Sequence, residues 1–470
     1  MNLNMYFNEW KWFLRNPLLR TLAVLFAVTL IFVTYFGLVQ SEAQMNSQEE
    51  AHQHIRAQWD EMEPSNPHSA AHFGSYAFKS STTLSGLDEG INATTGTVLR
   101  LEGHTQNEVM FSEASQSLVL SKFGKLKPSL LFQYLIPLFL LFLSFDAYPR
   151  ERKSGRLKLL VNQGADIFKI VSTKAFCVWT IGLILLMITL VTQVLLSPVD
   201  LSMDQFFRLG LLIGGYAMYY FVLVNVTILV SVWLQNSTAS MSVVMLLWIF
   251  WTVFLPKITG NMAEQMVPLP TRIEFQEAMS TDRSEGIDGH NPSDDRRTKL
   301  EKATLKKYNV ATLEELPINF AGIVMQADEE YGNQVWDKHF GALYVQLGHQ
   351  KEMVQYSGLF NPFGSIQSIS MGAAGTDMFH HLDFLRQAEE YRRVFIKTLN
   401  DEYAFGGSKT GERGWKAETA FFQSVKDFVY QQPTMRSVLS NYYIDLVVIF
   451  CWCIVSFLLL HVAAKRASVL

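Results

Sequence analysis

The segment Tyr148–Asp166, YPRERKSGRLKLLVNQGAD, lies between two apolar runs, Pro128–Ala147 and Ala175–Leu196, each long enough to cross a bilayer. It therefore sits on one face of a membrane. Arg150, Arg152, Lys153, Arg156 and Lys158 make it the densest basic cluster in the chain. A short loop so rich in Arg and Lys stays on the cytoplasmic side, because these charges resist translocation. That assignment sets the side of every other segment. Beyond the break at Gly155, Leu157, Leu159, Leu160 and Val161 stand among Arg156, Lys158 and Asn162, a pattern that suits a short helix at the membrane surface with a polar face toward the cytoplasm. Two readings are open: a topology signal alone, or a docking element as well.

Working outward, Asn2–Arg15 places Leu3, Tyr6, Phe7, Trp10 and Leu14 at helical spacing, which predicts an amphipathic helix lying on the membrane before the chain enters it. Pro17 and Leu18 open a first span that ends at Val39. Ser41-Glu42-Ala43 has the small residues of a cleavage site, but the apolar run exceeds the ~7–15 residues of a signal sequence core. The expectation is an uncleaved anchor with its N-terminus inside. Residues 40–127 are polar and form the first extracytoplasmic segment, in which Ser41–Glu63 can prolong the first helix outward. Spans follow at Pro128–Ala147, Ala175–Leu196, Phe206–Leu234 and Ala239–Leu255, with an outer turn at Ser197–Asp200 and an inner one at Gln235–Thr238. Residues 257–438 form a larger extracytoplasmic segment, predicted helical over Arg296–Tyr308, Ala321–Gln355, Met378–Asp401 and Trp415–Gln431. Phe360–Ala374, apolar and rich in small residues, lies either against the membrane or a partner, or within the domain itself. Asn441–Ala463 is the sixth span, followed by Lys465-Arg466 on the inside.

Composition agrees with a membrane protein carrying external mass: 49% hydrophobic residues and 17% charged, with mean hydropathy +0.12. A net charge of −4 argues against nucleic acid as a partner, since neutralising phosphates needs a positive excess. The three cysteines, Cys177, Cys451 and Cys453, all fall inside candidate spans, which leaves the polar segments no disulfide framework or cysteine metal cage.

The loop Glu151-Arg-Lys-Ser-Gly155-Arg-Leu-Lys-Leu-Leu160, then Gln163-Gly164-Ala165, then Lys169 and Lys174, resembles the cytoplasmic loop of ABC-type export permeases of the type 2 class. Asn2–Arg15 resembles the elbow helix of that family. NPHSAAHFGSYAFKS (Asn66–Ser80), LEGHTQNEVMF (Leu101–Phe111), SGLFNPFGSIQSISMGAAGTD (Ser357–Asp377) and FLRQAEEYRRVF (Phe384–Phe395) resemble the inserts of a bacterial subgroup with large extracytoplasmic segments. The resemblance implies an all-α fold of six transmembrane helices, N-in and C-in, with an elbow helix and two external inserts. It implies a permease subunit in the bacterial cytoplasmic membrane that exports a substrate the sequence does not identify. Glu151, Arg152, Gly155, Arg156, Leu157 and Leu160 would couple it to separate ATPase subunits, and a second permease, identical or related, would complete the path. ATP and Mg would bind the ATPases; no cofactor is expected on this chain.

No phosphate-binding G-x-x-x-x-G-K-[ST] occurs; Gly407-Ser-Lys-Thr-Gly411 lacks the required spacing. H-E-x-x-H, G-x-S-x-G and C-x-x-C are also missing, so the chain is expected not to be an enzyme. A membrane-anchored extracytoplasmic sensor or binding protein is the alternative. Within spans, Asn225 beside Thr227, Asp445, and Gly214-Gly215 line either a path or a helix seam. His68 and His72, at i and i+4, share a face if helical, but no carboxylate stands at metal-site spacing near them. A metal site is conceivable, and a cluster of His68, His72 and His104 in space with bound metal would point to an external enzyme, but hydrogen-bonded structural histidines are the expectation there.

Overall fold

The computed structural model describes residues 3–80, 82, 84–107, 127–196, 202–412 and 414–467. The outer turn Ser197–Asp200 and the side chain of Leu3 lie outside the described residues. Among those described, six helices are long and apolar enough to cross a membrane: Pro17–Asp60, Pro128–Lys153, Ile167–Leu196, Met203–Leu234, Ser237–Met266 and Met435–Arg466. The chain is a multi-pass membrane protein built around them.

Helix α1 (Leu3–Arg15) is followed at once by α2 (Pro17–Asp60). The joint is local chemistry: Asn16 adopts an extended backbone, its side chain accepts from the Leu18 and Leu19 amides, and Pro17 takes the first helical position, where no amide is needed. The 44-residue α2 is about 66 Å long at ~1.5 Å per residue, so its far half rises clear of the bundle. Its tip inserts Trp59 into a core made by Ala70, Ala71, Phe395, Leu399 and Phe422.

Two spans bend without breaking. A π-helical turn at Leu131–Leu135 precedes Pro137 in the helix continued by α4 (Ile136–Ser144). Another at Phe250–Phe254 joins α9 (Ser237–Ile249) to α10 (Leu255–Met266), just before Pro256. Proline lacks an amide and crowds the carbonyl four residues back, and widening the turn relieves both. The helix expected to stop near Leu255 therefore continues to Met266.

The basic loop consists of α5 (Pro149–Lys153) and α6 (Arg156–Asn162), and α7 (Ile167–Leu196) and α8 (Met203–Leu234) follow. At the opposite end of the bundle the two long polar segments share cores. In the first, α3 (Pro67–Phe73) leads into an antiparallel pair, β1 (Ser75–Phe78) and β2 (Val98–Leu101), with Ser75 opposite Leu101. This pair is a departure from an all-α fold. Its inward residues Ala77, Leu99 and Leu101 pack on Phe384 and Ala388 of the second segment.

In the second segment, α11 (Arg272–Glu285), α12 (Ser293–Tyr308) and α13 (Phe320–Tyr356) are followed by α14 (Pro362–Ala374) and α15 (Met378–Phe405). The predicted helix Trp415–Gln431 is mostly absent: only α16 (Thr419–Ser424) is helical, and the rest is irregular apart from a bridge between Ala417 and Ser65. Val425, Phe428 and Tyr430 are buried while Lys426 and Val429 are exposed, so the burial does not follow a helical face. The sixth apolar helix contains α17 (Tyr443–Arg466).

Phe360–Ala374 lies within the bundle. Phe363, Ile366, Ile369 and Ala373 of α14 are fully buried in the main transmembrane core. Gly215 of α8 makes room: a Cβ there would stand 3.1 Å from Ile366 and Ile369, whereas one on Gly214 would meet nothing within 4 Å. The Phe363 ring neighbours Tyr219, and the carbonyls of Gly372 and Ala373 accept from Arg208, so α14 runs antiparallel to α8. Trp452 donates to the Gly358 carbonyl, which puts the turn before α14 roughly 13 Å along α17 from its start. The end of α13 and all of α14 thus form a re-entrant hairpin. Its tip exposes Leu359 (58%) and Phe360 (73%), apolar side chains suited to lipid.

Candidate functional site

The basic loop is bolted to its surroundings from below. Glu151 is 2% exposed, and one of its oxygens lies 2.9 Å from the Lys174 ammonium at the start of α7. Lys174 also donates to Glu9 of α1 at 2.9 Å. The other Glu151 oxygen is 3.3 Å from Arg156, an ion-pair contact without hydrogen-bond geometry. The Arg150 guanidinium stacks over Trp12 at 3.9 Å, Arg152 donates to Gln235 at the end of α8, and the Tyr148 amide donates to Ser231. The loop is thereby joined to the elbow helix and to two spans. Gly155 turns the chain between α5 and α6 with φ 76°, a left-handed conformation that favours glycine.

Leu157 and Leu160, the apolar face expected to seat this short helix, turn toward the bundle. Leu157 is fully buried beneath α6 and Leu160 is half-buried, while Leu159 is 63% exposed beside exposed Lys158 and Asn162. In a helix of only seven residues, the buried face depends on what lies below it, which the sequence of the loop does not contain. The outward face is Lys158, Leu159 and Asn162. On the elbow, Tyr6 and Trp10 pack against the bundle, whereas Phe7 (56% exposed) and Leu14 (59%) face outward.

Asp445 is buried. It accepts from Gln355 and Ser368, both at 2.7 Å, which ties α17 to both arms of the hairpin. It lines a cavity of about 350 Å³ with Lys351, Asp377, Gln367, Pro256 and Ala263. Lys351 lies 3.2 Å from the Phe379 ring centre and 3.3 Å from Asp377. Burial pushes the Asp377 carboxyl up, but hydrogen bonds from His380 and Tyr442 and the Lys351 charge outweigh it and hold it well below the usual carboxylate range. Asn225 does not join this group. Cys453 approaches the Met218 carbonyl, which sets the register of α17 against α8 and leaves Asn225 roughly 20 Å from Asp445 along the bundle. Asn225 is buried, and its amide nitrogen has no hydrogen-bond partner among the described residues.

His68 and His72 share one face of α3, where Asn66 caps the first turn, and their Nε2 atoms are 3.3 Å apart. His104 joins them, its ring centre 5.3 Å from that of His68 and 5.4 Å from that of His72. A carboxylate from far along the chain also arrives: Glu329 of α13 accepts from His104 Nδ1 at 2.8 Å and from the His104 amide. Burial pushes Glu329 up, but the His104 and Arg392 interactions bring it down to about 2. Burial, then the neighbouring imidazoles, lower the pKa of His68 and favour its neutral form.

Residues 272–431 match the model of a family described as a domain of unknown function (DUF3526). The match covers the second polar segment from α11 through the re-entrant hairpin to the irregular stretch after α15, and includes Glu329 and Asp377. No curated protein matches the chain.

Proposed function

We propose that this chain is the permease subunit of an ABC-type transporter, an exporter driven by ATP hydrolysed on separate ATPase subunits. The observation that carries the reading is the loop: α6 presents Lys158, Leu159 and Asn162 outward while Glu151, Lys174 and Glu9 lock its base to the elbow and α7. A force applied to α6 is passed to at least three membrane elements, which is what coupling ATP-driven closure to helix motion requires. The resemblance of Glu151–Leu160 to the family's coupling loop supports the same assignment. In this reading the loop faces the cytoplasm of a bacterial cell, both polar segments lie outside, and a second permease, identical or related, completes the path.

The substrate path passes the cavity beside Asp445. Its walls are apolar at Pro256 and Ala263 and charged at Lys351, Asp377 and Asp445, which suits an amphipathic substrate leaving the outer leaflet. The test is purification of the full chain from its native membranes. Stoichiometric recovery of an ATP-hydrolysing partner supports the proposal, and a chain free of any ATPase under conditions that preserve the membrane complex overturns it.

One observation favours the alternative of an anchored binding protein. A cavity of about 370 Å³ lies in the external domain between Trp336, Phe340 and Tyr344 of α13 and Leu382 and Leu385 of α15. That reading predicts saturable ligand binding by the chain with no ATPase attached.

A further inference from the structure

Three imidazoles from two separate stretches of the first polar segment converge on one point, and the second segment supplies the group that orients one of them. We propose that His68, His72 and His104 bind a divalent transition-metal ion, with Zn²⁺ the best fit, and that Glu329 holds His104 in the ligating orientation.

The geometry is already close to a coordination shell. Two nitrogens bound to tetrahedral zinc at ~2.0–2.1 Å lie about 3.3 Å apart. The Nε2 atoms of His68 and His72 are separated by 3.3 Å. Each of the three histidines offers a ring nitrogen, and these lie within 4.8 Å of one another, close enough for one ion to draw them into a common shell.

Each ligand is held in place. The i, i+4 pair is fixed by α3, whose first turn is capped by the Asn66 side chain. His104 takes a left-handed backbone, φ 64°, uncommon for a residue other than glycine. That turn aims both its amide and its Nδ1 at one oxygen of Glu329. With Nδ1–H committed to a carboxylate, Nε2 is the nitrogen with a free lone pair, the carboxylate–histidine arrangement that raises ligand basicity in metal sites. The second Glu329 oxygen is taken by Arg392 at 3.0 Å, so the carboxylate is itself positioned.

The donor chemistry selects the ion. Three neutral imidazoles without thiolate or a directly ligating carboxylate suit Zn²⁺, Cu²⁺ or Ni²⁺ and do not suit Ca²⁺ or Mg²⁺, which demand oxygen. Nearby cations do not occupy the ring nitrogens: Arg100 donates to the His72 carbonyl and Arg283 to the His104 carbonyl. Three protein ligands leave a fourth position for water or an outside donor. His72 is exposed, which places that position toward solvent. Because α3 and the His104 turn belong to the first segment and Glu329 to the second, the ion would also fasten the two external segments together.

The test uses the full chain in nanodiscs, stripped with chelator and titrated with Zn²⁺, with bound metal counted by mass spectrometry. The expected result is one Zn²⁺ per chain, with affinity at least tenfold weaker in both His72→Ala and His104→Ala. Glu329→Gln is expected to keep the stoichiometry and lose roughly 10–100-fold in affinity, as loss of an orienting partner does. Co²⁺ in place of Zn²⁺ should give visible absorption of a tetrahedral site in the wild type and lose it in His72→Ala. Because His72 is exposed, that variant keeps its metal-free melting temperature and remains a fair test even if Glu329→Gln fails to fold. Absence of stoichiometric Zn²⁺, or unchanged binding in His72→Ala, overturns the proposal; the latter would place binding among other members of the chain's 11 histidines.

Discussion

Lys174→Met is the sharpest probe of how the basic loop is held. The Lys174 side chain is buried and its ammonium stands between two carboxylates, each 2.9 Å away: buried Glu151 and Glu9, whose side chain is 13% exposed. Methionine keeps the stem and removes the charge. Glu9 and Glu151 are then left with Arg156, which is half in solvent and reaches Glu151 alone. Removing one partner of a buried ion pair costs about 3–5 kcal/mol, because the remaining charge stays desolvated and unpaired. The variant should unfold at a clearly lower temperature in detergent, and protease should cut between α5 and α7 before it cuts the spans. A triple variant adding Glu9→Gln and Glu151→Gln removes the stranded charges and should recover more than half of the lost stability. A single variant that melts like wild type, with an equally resistant loop, would refute the reasoning that these three residues bolt the loop to the bundle.

Gly215→Leu forces a side chain against Ile366 and Ile369, with its first carbon alone already 3.1 Å from both, and should destabilise the protein by about 1–3 kcal/mol and expose the hairpin to proteolysis. Gly214→Leu, whose new Cβ meets nothing within 4 Å, should be near neutral in the same thermal and proteolytic assays. His381 is buried, and burial followed by the nearby Lys79 charge pushes it down from an ordinary 6.5 to about 4. The unfolded chain therefore binds the proton first: stability is fully present above pH ~6.5, falls as pH drops toward ~4, and loses about 3 kcal/mol in total. Melting temperature against pH should show that loss, and His381→Gln should flatten the curve. Single cysteines at Ser80, Ser284 and Ser154, all exposed, in a chain with Cys177, Cys451 and Cys453 replaced, report sidedness. An impermeant thiol reagent on intact cells should label the first two and spare Ser154; Ser468, the fourth position suited to this test, lies outside the described residues.

The six apolar helices were legible because each contains a long window of lipid-compatible residues, a signal that needs no tertiary information. The re-entrant hairpin was not, since α14 has only 13 residues, too few to cross a bilayer, and its burial depends on Gly215 and Arg208 in a distant span. Loop composition identified α6 and its seating face at Leu157 and Leu160, whereas the exposure of Leu159 depends on what packs underneath. The i, i+4 spacing of His68 and His72 was visible and His104 could be named as a third member, whereas the backbone turn that brings it in and Glu329, 225 residues beyond it in sequence, could not. Short-range periodicity carries no trace of such a meeting. The stretch Val425–Tyr430 failed for a related reason: it is apolar enough for a helix, but its partners are the sheet and α15.

ATP hydrolysis by the chain assembled with its ATPase tests the central claim most directly, because α6 separates the face that would dock from the face that packs. The paired change Lys158→Glu and Leu159→Ser alters only exposed positions, so the chain should insert and melt as the wild type does. Substrate-linked hydrolysis, or recovery of the ATPase with the chain, should nevertheless fall at least fivefold. Normal assembly and normal coupled hydrolysis in that variant, with insertion confirmed, would contradict the account and leave Tyr148–Asp166 as a topology signal alone.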